Sequence, residues 1–126
     1  KPLPAKLSYL GLEALLGAGE NLANWQERDG PEFHYGIGLV AKHPQARVKW
    51  NVTGSRLTLW SPRGPDFGEA ELRVDGQRAT VVNLYAEQLT PSQPVWTSKK
   101  LRGLFHGVVW QALTGLLPVD CLQVEN

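Results

Sequence analysis

Sulfur-containing residues are scarce in this 126-residue sequence, which has one cysteine, Cys121, and no methionine. A single cysteine excludes an intrachain disulfide, so the fold has to hold without a covalent cross-link. The length allows this, because a chain of this size can bury a substantial core unaided. No apolar run approaches the roughly 20 residues that a membrane-spanning helix requires.

An excess of charge of one sign is also missing. The chain carries 13 Lys and Arg against 12 Asp and Glu, and the formal net charge is +1. Because the two signs are mixed along the chain, no basic stripe is available for nucleic acid or for an anionic membrane surface. We therefore expect neither nucleic acid nor a membrane as a partner.

The motifs of common catalytic and cofactor sites are absent as well. There is no Gly-x-Ser-x-Gly, no phosphate-binding loop and no His-Glu-x-x-His, and the three histidines lack metal-ligand spacing. Cys121 falls in an apolar terminal strand and is expected to be an inert core residue rather than a nucleophile paired with His106. Glu69, Glu71 and Arg73 share one face of a strand and are expected to form a solvated charge row. We predict no enzyme activity, no cofactor and no metal site.

The start of the chain predicts origin in a larger protein. Residues 1–6 contain two prolines and no methionine, which is typical of a linker remnant, and residues 7–126 are predicted to form one domain. Residues 7–18 are the only stretch with helical spacing of leucines, with a strand and turn as the alternative, and residues 19–32 are expected to be a polar turn region.

The rest of the chain has the pattern of an all-β protein. Apolar and polar residues alternate along segments 46–52, 69–74 and 106–112, as expected for strands with one buried face. Turn signals recur at roughly ten-residue spacing, and a further strand is predicted at 33–40. The predicted fold class is an antiparallel β-sandwich, or jelly roll, with at most one short N-terminal helix. Ten residues are predicted to be largely buried between the two sheets: Val48, Trp50, Leu72, Val74, Val82, Leu84, Val108, Trp110, Leu122 and Val124.

Asp75-Gly76 is the strongest hairpin signal. A two-residue turn would place Val81 on the face of Leu72, whereas a three-residue loop would place Val82 there. We favour the three-residue loop, because it buries Val82 and Leu84 without burying a polar group.

The order of signals over residues 56–124 resembles a known group of domains. Gly-Pro-Asp-Phe-Gly (64–68), Ala-Glu-Leu-Arg-Val-Asp-Gly (70–76), Val-Asn-Leu-Tyr (82–85), Leu-Arg-Gly-Leu-Phe-His (101–106) and Val-Asp-Cys-Leu-Gln-Val (119–124) follow one another. This resembles the galactose-binding-like jelly-roll domains that accompany bacterial glycoside hydrolases and GDSL-type esterases, which are similar to carbohydrate-binding modules. The resemblance implies a fold and a context but assigns no ligand contact. It places His106 and Asp120 on neighbouring strands, where a structural hydrogen bond is expected.

Aromatic residues are the best indication of function, and five of them are tryptophans. Alternation places Trp50 and Trp110 in the core, and Trp25 is expected to be partly exposed. Trp60 and Trp96 border long loops, where core and site roles are equally compatible with the sequence.

The order of strands places the long loops together. If each strand crosses the sandwich once, loops 61–68, 86–94 and 114–117 share one end, and the turns 53–54, 75–76 and 101–105 share the other. Binding residues collect on loops held by a rigid scaffold. The predicted ligand-binding residues at the first end are Trp60, Arg63, Asp66, Tyr85, Gln88 and Trp96.

The sequence therefore predicts a non-catalytic, carbohydrate-binding accessory module of a larger enzyme. Its partners would be a polysaccharide or glycan and the catalytic domain of the same parent chain. The expected location is extracellular, periplasmic or at the cell surface. The alternative is a structural or protein-interaction sandwich that packs on its parent enzyme and binds no glycan.

Overall fold

A computed structural model describes residues 3–4, 25–42 and 46–125, and within these ranges the chain is built from eleven strands and no helix. The helix predicted at 7–18 lies outside the described residues. The strands are β1 (Leu3–Pro4), β2 (Trp25–Asp29), β3 (Ile37–Ala41), β4 (Arg47–Thr53), β5 (Arg56–Arg63), β6 (Glu69–Val74), β7 (Gln77–Asn83), β8 (Thr90–Thr97), β9 (Phe105–Ala112), β10 (Leu117–Val119) and β11 (Cys121–Glu125).

The strands form three antiparallel sheets, which confirms the predicted all-β class. The β5 sheet has the order β1-β11-β5-β8, the β9 sheet has the order β4-β9-β6-β7, and the β3 sheet has the order β10-β3-β2. All three contribute to one cluster of buried apolar side chains. The architecture is that of a β-sandwich, in which each sheet turns its apolar face toward a shared core.

Alternation of polarity locates the buried face of the β9 sheet. Along β9, exposure alternates residue by residue, with His106, Val108, Trp110 and Ala112 buried. Of ten residues predicted in the core, eight are buried, whereas Val74 and Val124 are partly buried against the cluster. The eight are Val48, Trp50, Leu72, Val82, Leu84, Val108, Trp110 and Leu122.

Several strand boundaries differ from the sequence prediction. Residues 25–29 form β2 although they were expected to be a turn region, and the strand predicted at 33–40 begins at Ile37. Pairing with β3 explains both differences, because Trp25 to Asp29 run antiparallel to Ala41 to Ile37. Likewise β5 and β8 extend into the segments 61–68 and 86–94 that were predicted to be loops.

The hairpin between β6 and β7 has a shorter loop than predicted. Val74 pairs with Gln77, so Asp75 and Gly76 alone make the connection. Their φ angles of 53° and 83° are both positive, as a type I′ turn requires. The positive φ predicted at Gly76 is confirmed, whereas the three-residue loop is wrong.

A β-bulge in β7 nevertheless leaves Val82 and Leu84 buried, as predicted. The register shifts beside Leu72, which pairs with Thr80 and leaves Ala79 as the extra residue. One extra residue exchanges the two faces of the following strand. Val82 is therefore buried, and the side chain of Tyr85 is 52% exposed.

Candidate functional site

Main-chain hydrogen bonds join the three predicted loops at one end of the sandwich, which we call the loop end (residues 63–68, 83–89 and 113–116). The amide of Gly64 donates to the carbonyl of Leu84 at 3.0 Å, and the amide of Ala86 donates back to Gly64 at 3.1 Å. The amide of Leu116 donates to the carbonyl of Asp66 at 3.0 Å. These bonds confirm that the long loops meet, and they hold the loop end to the sheets.

Arg63 and Tyr85 come together at the loop end through Asn83. The Arg63 Nε–H group donates to the Asn83 carbonyl at 3.1 Å, and the Tyr85 amide donates to the Asn83 side-chain oxygen at 3.0 Å. Tyr85 also forms a bridge with Gly64, the residue after Arg63. Asn83 therefore holds both Arg63, at the end of β5, and the exposed Tyr85, just after β7.

Asp66 and Gln88 are exposed on the same loops. Asp66 lies in the tight turn that the Phe67 amide closes onto the Gly64 carbonyl at 3.3 Å. Phe67 is buried beneath this turn. Four of the six predicted site residues therefore share the loop end, and its polar groups sit over a buried aromatic anchor.

The other two predicted site residues, Trp60 and Trp96, lie on opposite faces of the β5 sheet. Trp96 pairs with Leu59, which is buried, and it packs half-buried against the core. Successive residues of a strand point to opposite faces, so the next residue, Trp60, lies on the outer face. The Trp60 indole N–H donates to Gln123 at 2.6 Å, and its ring centroid lies 4.9 Å from that of His34. The two tryptophans do not form a coplanar pair.

Asp120 and His106 are not neighbours, contrary to the expectation for these positions. The Asp120 carboxylate accepts hydrogen bonds from the His34 amide and from the Ser92 hydroxyl. Burial raises the pKa of Asp120 above its ordinary value, and the two donated hydrogen bonds oppose that shift. Asp120 thus ties the segment before β3 to β8.

His106 instead joins the hairpin turn to β9 at the opposite end of the sandwich. Its Nδ1 lies 2.6 Å from the Asp75 carboxylate, and its Nε2 lies 3.0 Å from the Gly103 carbonyl. Asp75 also accepts the Gly107 amide at 3.0 Å. Since both ring nitrogens face acceptors, the contacts suit the protonated ring, and the Asp75 hydrogen bond raises the pKa of His106 above 6.5.

Glu71 is not part of the solvated charge row that was predicted for Glu69, Glu71 and Arg73. Its side chain is buried and lies 2.6 Å from Arg73 Nε and 2.5 Å from an Arg78 nitrogen. The hydrogen bond from Arg73, with that from Arg78, holds the pKa of Glu71 below its ordinary value. Glu69, by contrast, is exposed, so the two glutamates do not form a paired-carboxylate site.

The described residues present no catalytic arrangement. Cys121 is buried, and burial raises the pKa of its thiol far above the usual range, which disfavours the nucleophilic thiolate. Within residues 3–4, 25–42 and 46–125, no group of His, Cys, Asp and Glu is placed to hold a metal ion. The same part of the chain contains no helix whose length and hydropathy would let it span a membrane.

Two exposed aromatic positions were not singled out by the sequence. Tyr35, 52% exposed, lies edge-on to His34 in the segment before β3. Phe105, 82% exposed, begins β9 and belongs to a shallow groove with Gly107. The alternation that places His106 inside could have located Phe105 outside, because adjacent strand residues face opposite ways.

No protein-family model and no curated protein sequence matches this chain. Among solved structures it is similar to the exo-β-1,3-galactanase of Phanerochaete chrysosporium, determined with β-1,3-galactotriose. The two are 13% identical with a TM-score of 0.58, over 79% of this chain and 25% of the galactanase. It is also similar to a Paenibacillus xanthan lyase, with 9% identity and a TM-score of 0.56, over 81% of this chain and 12% of the lyase.

These likenesses show a shared fold. The chain spans a quarter or less of the length of either enzyme. The part of the chain that the structure describes has the all-β architecture of a small module. Both similar chains belong to carbohydrate-active enzymes.

Proposed function

We propose that this chain is a non-catalytic carbohydrate-binding module of a larger secreted or surface enzyme, with its glycan site at the loop end. In this proposal residues 7–126 are one domain, and residues 1–6 are a linker remnant of which Leu3–Pro4 pairs with β11. The module keeps the catalytic domain of its parent chain close to a polysaccharide. The observation that carries the proposal is that the exposed Tyr85 and the Arg63 guanidinium are both hydrogen-bonded to Asn83 at the loop end.

The chemistry of that pair suits a sugar. The flat C–H face of a pyranose ring stacks on an aromatic ring, and sugar hydroxyls exchange hydrogen bonds with guanidinium, carboxylate and amide groups. Arg63 uses its Nε–H group for Asn83 and has further N–H donors to offer. Asp66 and Gln88 supply acceptors and donors from the neighbouring loops. Because loop segments are held by main-chain bonds, little ordering is needed on binding.

The test is calorimetric titration of the purified chain with neutral polysaccharides, including β-1,3-galactan. We expect weak, nearly salt-independent binding, because the ligand is neutral. Tyr85→Ala should remove most of the affinity and leave the melting temperature within a few degrees of wild type. Tyr35→Ala is the matched control, since both tyrosines are 52% exposed. If Tyr35→Ala loses binding and Tyr85→Ala does not, the loop end is not the site.

A second function has its own supporting observation. Leu89 and Leu113 are 49% and 42% exposed on two segments of the loop end, and exposed apolar surface favours a protein contact. In this alternative the loop end packs on the parent enzyme and binds no glycan. Leu113→Glu would then weaken association with the parent's catalytic domain, whereas a glycan site would leave that association unchanged.

A further inference from the structure

A groove of about 280 Å³ lies at the end of the β9 sheet remote from the loop end, where β4 and β9 pair. Its walls are residues 51–53 and 105–107. This volume is just below the range of about 300–1,000 Å³ that is typical of small-ligand sites. The groove is therefore suited to one or two sugar rings rather than to a folded segment.

Phe105 forms one wall and is almost wholly exposed. It pairs with Thr53 across β4 and β9, and 82% of its surface is accessible. The exposed ring therefore belongs to a strand residue that is paired with the neighbouring strand β4, and not to a loop residue. A strand holds such a ring in a fixed orientation, as a stacking platform needs.

Gly107 forms the floor next to Phe105 and has no side chain. Two residues along a strand advance by about 7 Å, so Gly107 is roughly one sugar ring away from the Phe105 ring. Gly107 pairs with Asn51, whose side-chain oxygen lies 3.9 Å from the position a β-carbon would take. The end of the Lys49 side chain lies over this position, and a larger residue at 107 would displace it.

Lys49 supplies a positive charge at that floor. Its Cε and Nζ lie 3.2 and 3.7 Å from the same β-carbon position of Gly107. Among the residues that the structure describes, no carboxylate lies within ion-pair distance of Lys49. Across the same face, Arg73 and Arg78 share the single carboxylate of Glu71. The outer face of this sheet therefore has cations in excess.

We propose that this groove is a second carbohydrate-binding site, which takes an acidic sugar unit with its ring on Phe105 and its carboxylate at Lys49. Asn51 and Thr53 hydrogen-bond the hydroxyls of the sugar from β4. The site is separate from the loop end and differs from it in ligand charge. It extends the proposed function to a second face of the same module, and it stands or fails independently of Tyr85.

Three variants probe the groove in bacterially produced protein. Asn51-Val52-Thr53 fits the N-glycosylation sequon, and this source leaves Asn51 unmodified. Phe105→Ala removes the platform. Gly107→Val fills the floor and is compatible with a strand, because the close contact it meets is the flexible end of Lys49. Lys49→Gln removes the charge and keeps the length. The melting temperature of each variant is measured first, and Tyr35→Ala serves as the control, because Tyr35 is exposed and belongs to neither proposed site.

The probe is polygalacturonate, titrated in 25 and 250 mM salt. We expect Phe105→Ala and Gly107→Val to weaken its binding at least about tenfold, and Tyr35→Ala to leave it unchanged. Lys49→Gln should weaken binding about two- to fivefold at low salt, as exposed ion pairs do, and should reduce its salt dependence.

Polygalacturonate that does not bind, or binds equally well to the Phe105 and Gly107 variants, overturns the groove proposal. Salt-independent binding overturns the assignment of an acidic sugar. Neutral-glycan binding that depends on Tyr85 would still stand in either case. Conversely, neutral-glycan binding that Tyr85→Ala leaves unchanged would overturn the loop-end site and leave the groove in place.

Discussion

Trp110→Ala tests the assignment of the strand faces most directly. Trp110 is 1% exposed at the centre of the β9 sheet, where it pairs with Val48 on one side and Leu72 on the other. Truncation leaves a cavity between these strands and removes the indole N–H, which donates to the Pro118 carbonyl at 3.0 Å. Changes of this kind cost about 3–5 kcal/mol of the free energy of unfolding.

Two further variants separate the causes. Trp110→Phe keeps most of the ring but leaves the buried Pro118 carbonyl without its donor, which costs about 1–3 kcal/mol. Gln111→Ala is the control on the same strand, since Gln111 faces outward and is half-exposed. We expect it to cost less than about 0.5 kcal/mol.

Urea unfolding followed by far-UV circular dichroism measures all three variants. Single domains are commonly stable by only about 5–15 kcal/mol, so a loss of 3–5 kcal/mol is well resolved as a shift in midpoint at constant slope. A loss below about 1 kcal/mol for Trp110→Ala would mean that the buried face of β9 is assigned backwards. An equal loss for Trp110→Phe would assign the effect to the hydrogen bond rather than to packing.

Two glycine substitutions test local geometry by thermal unfolding. Gly76→Ala should destabilise the fold by about 1–2 kcal/mol, because a φ of 83° strains a residue with a β-carbon. Gly76→Asn should cost less, since asparagine tolerates this conformation. Equal melting temperatures for the two variants would contradict the type I′ turn. Gly38→Ala should cost about 1–3 kcal/mol, because a β-carbon there would lie 2.2 Å from the buried Phe33 ring; an unchanged melting temperature would show that Phe33 is not packed on Gly38.

The sequence predicted the two faces of the sandwich well, because the relevant signal is local. In β9 each buried residue is followed by a more exposed one, and polarity alone reports that pattern. The shared loop end followed from counting strand crossings and was confirmed by the bonds of Gly64 and Leu116. Both inferences use only the period of the polarity pattern and the order of the strands along the chain, and a single sequence contains both.

Features that depend on pairing between residues far apart in the chain could not be predicted from the sequence. Strand β2 is polar and exists by pairing with β3. The hairpin loop has two residues instead of the predicted three. Because Ala79 is an extra residue in a bulge, the face of β7 that is buried is still the predicted one. The partner of His106 is Asp75 rather than Asp120, because β9 and β11 belong to different sheets.

The candidate site was predicted in part for the same reason. Tyr85 and Arg63 lie at the loop end as expected, whereas Trp60 and Trp96 are separated by the pleat of the β5 sheet. A tryptophan beside a loop can face either way, and cross-strand register decides which. Phe105 was placed in a connecting segment, and its pairing with Thr53 shows that β9 begins at this residue.

The ion pair between His106 and Asp75 makes stability depend on pH, and the direction follows from the two pKa shifts. The pKa of His106 is raised above 6.5 by the Asp75 hydrogen bond, and that of Asp75 is lowered below 3.8 by the bond to His106. The histidine contribution is therefore complete below pH 6.5 and is lost as pH rises through the folded pKa, and the aspartate contribution is lost only below pH 3.8. We expect the unfolding free energy of wild type, minus that of His106→Gln, to be largest between these limits and to fall as pH rises above 6.5. The remaining histidines cancel in this difference, so a value that stays constant from pH 5.5 to 8.5 would show that His106 is neutral in the folded protein.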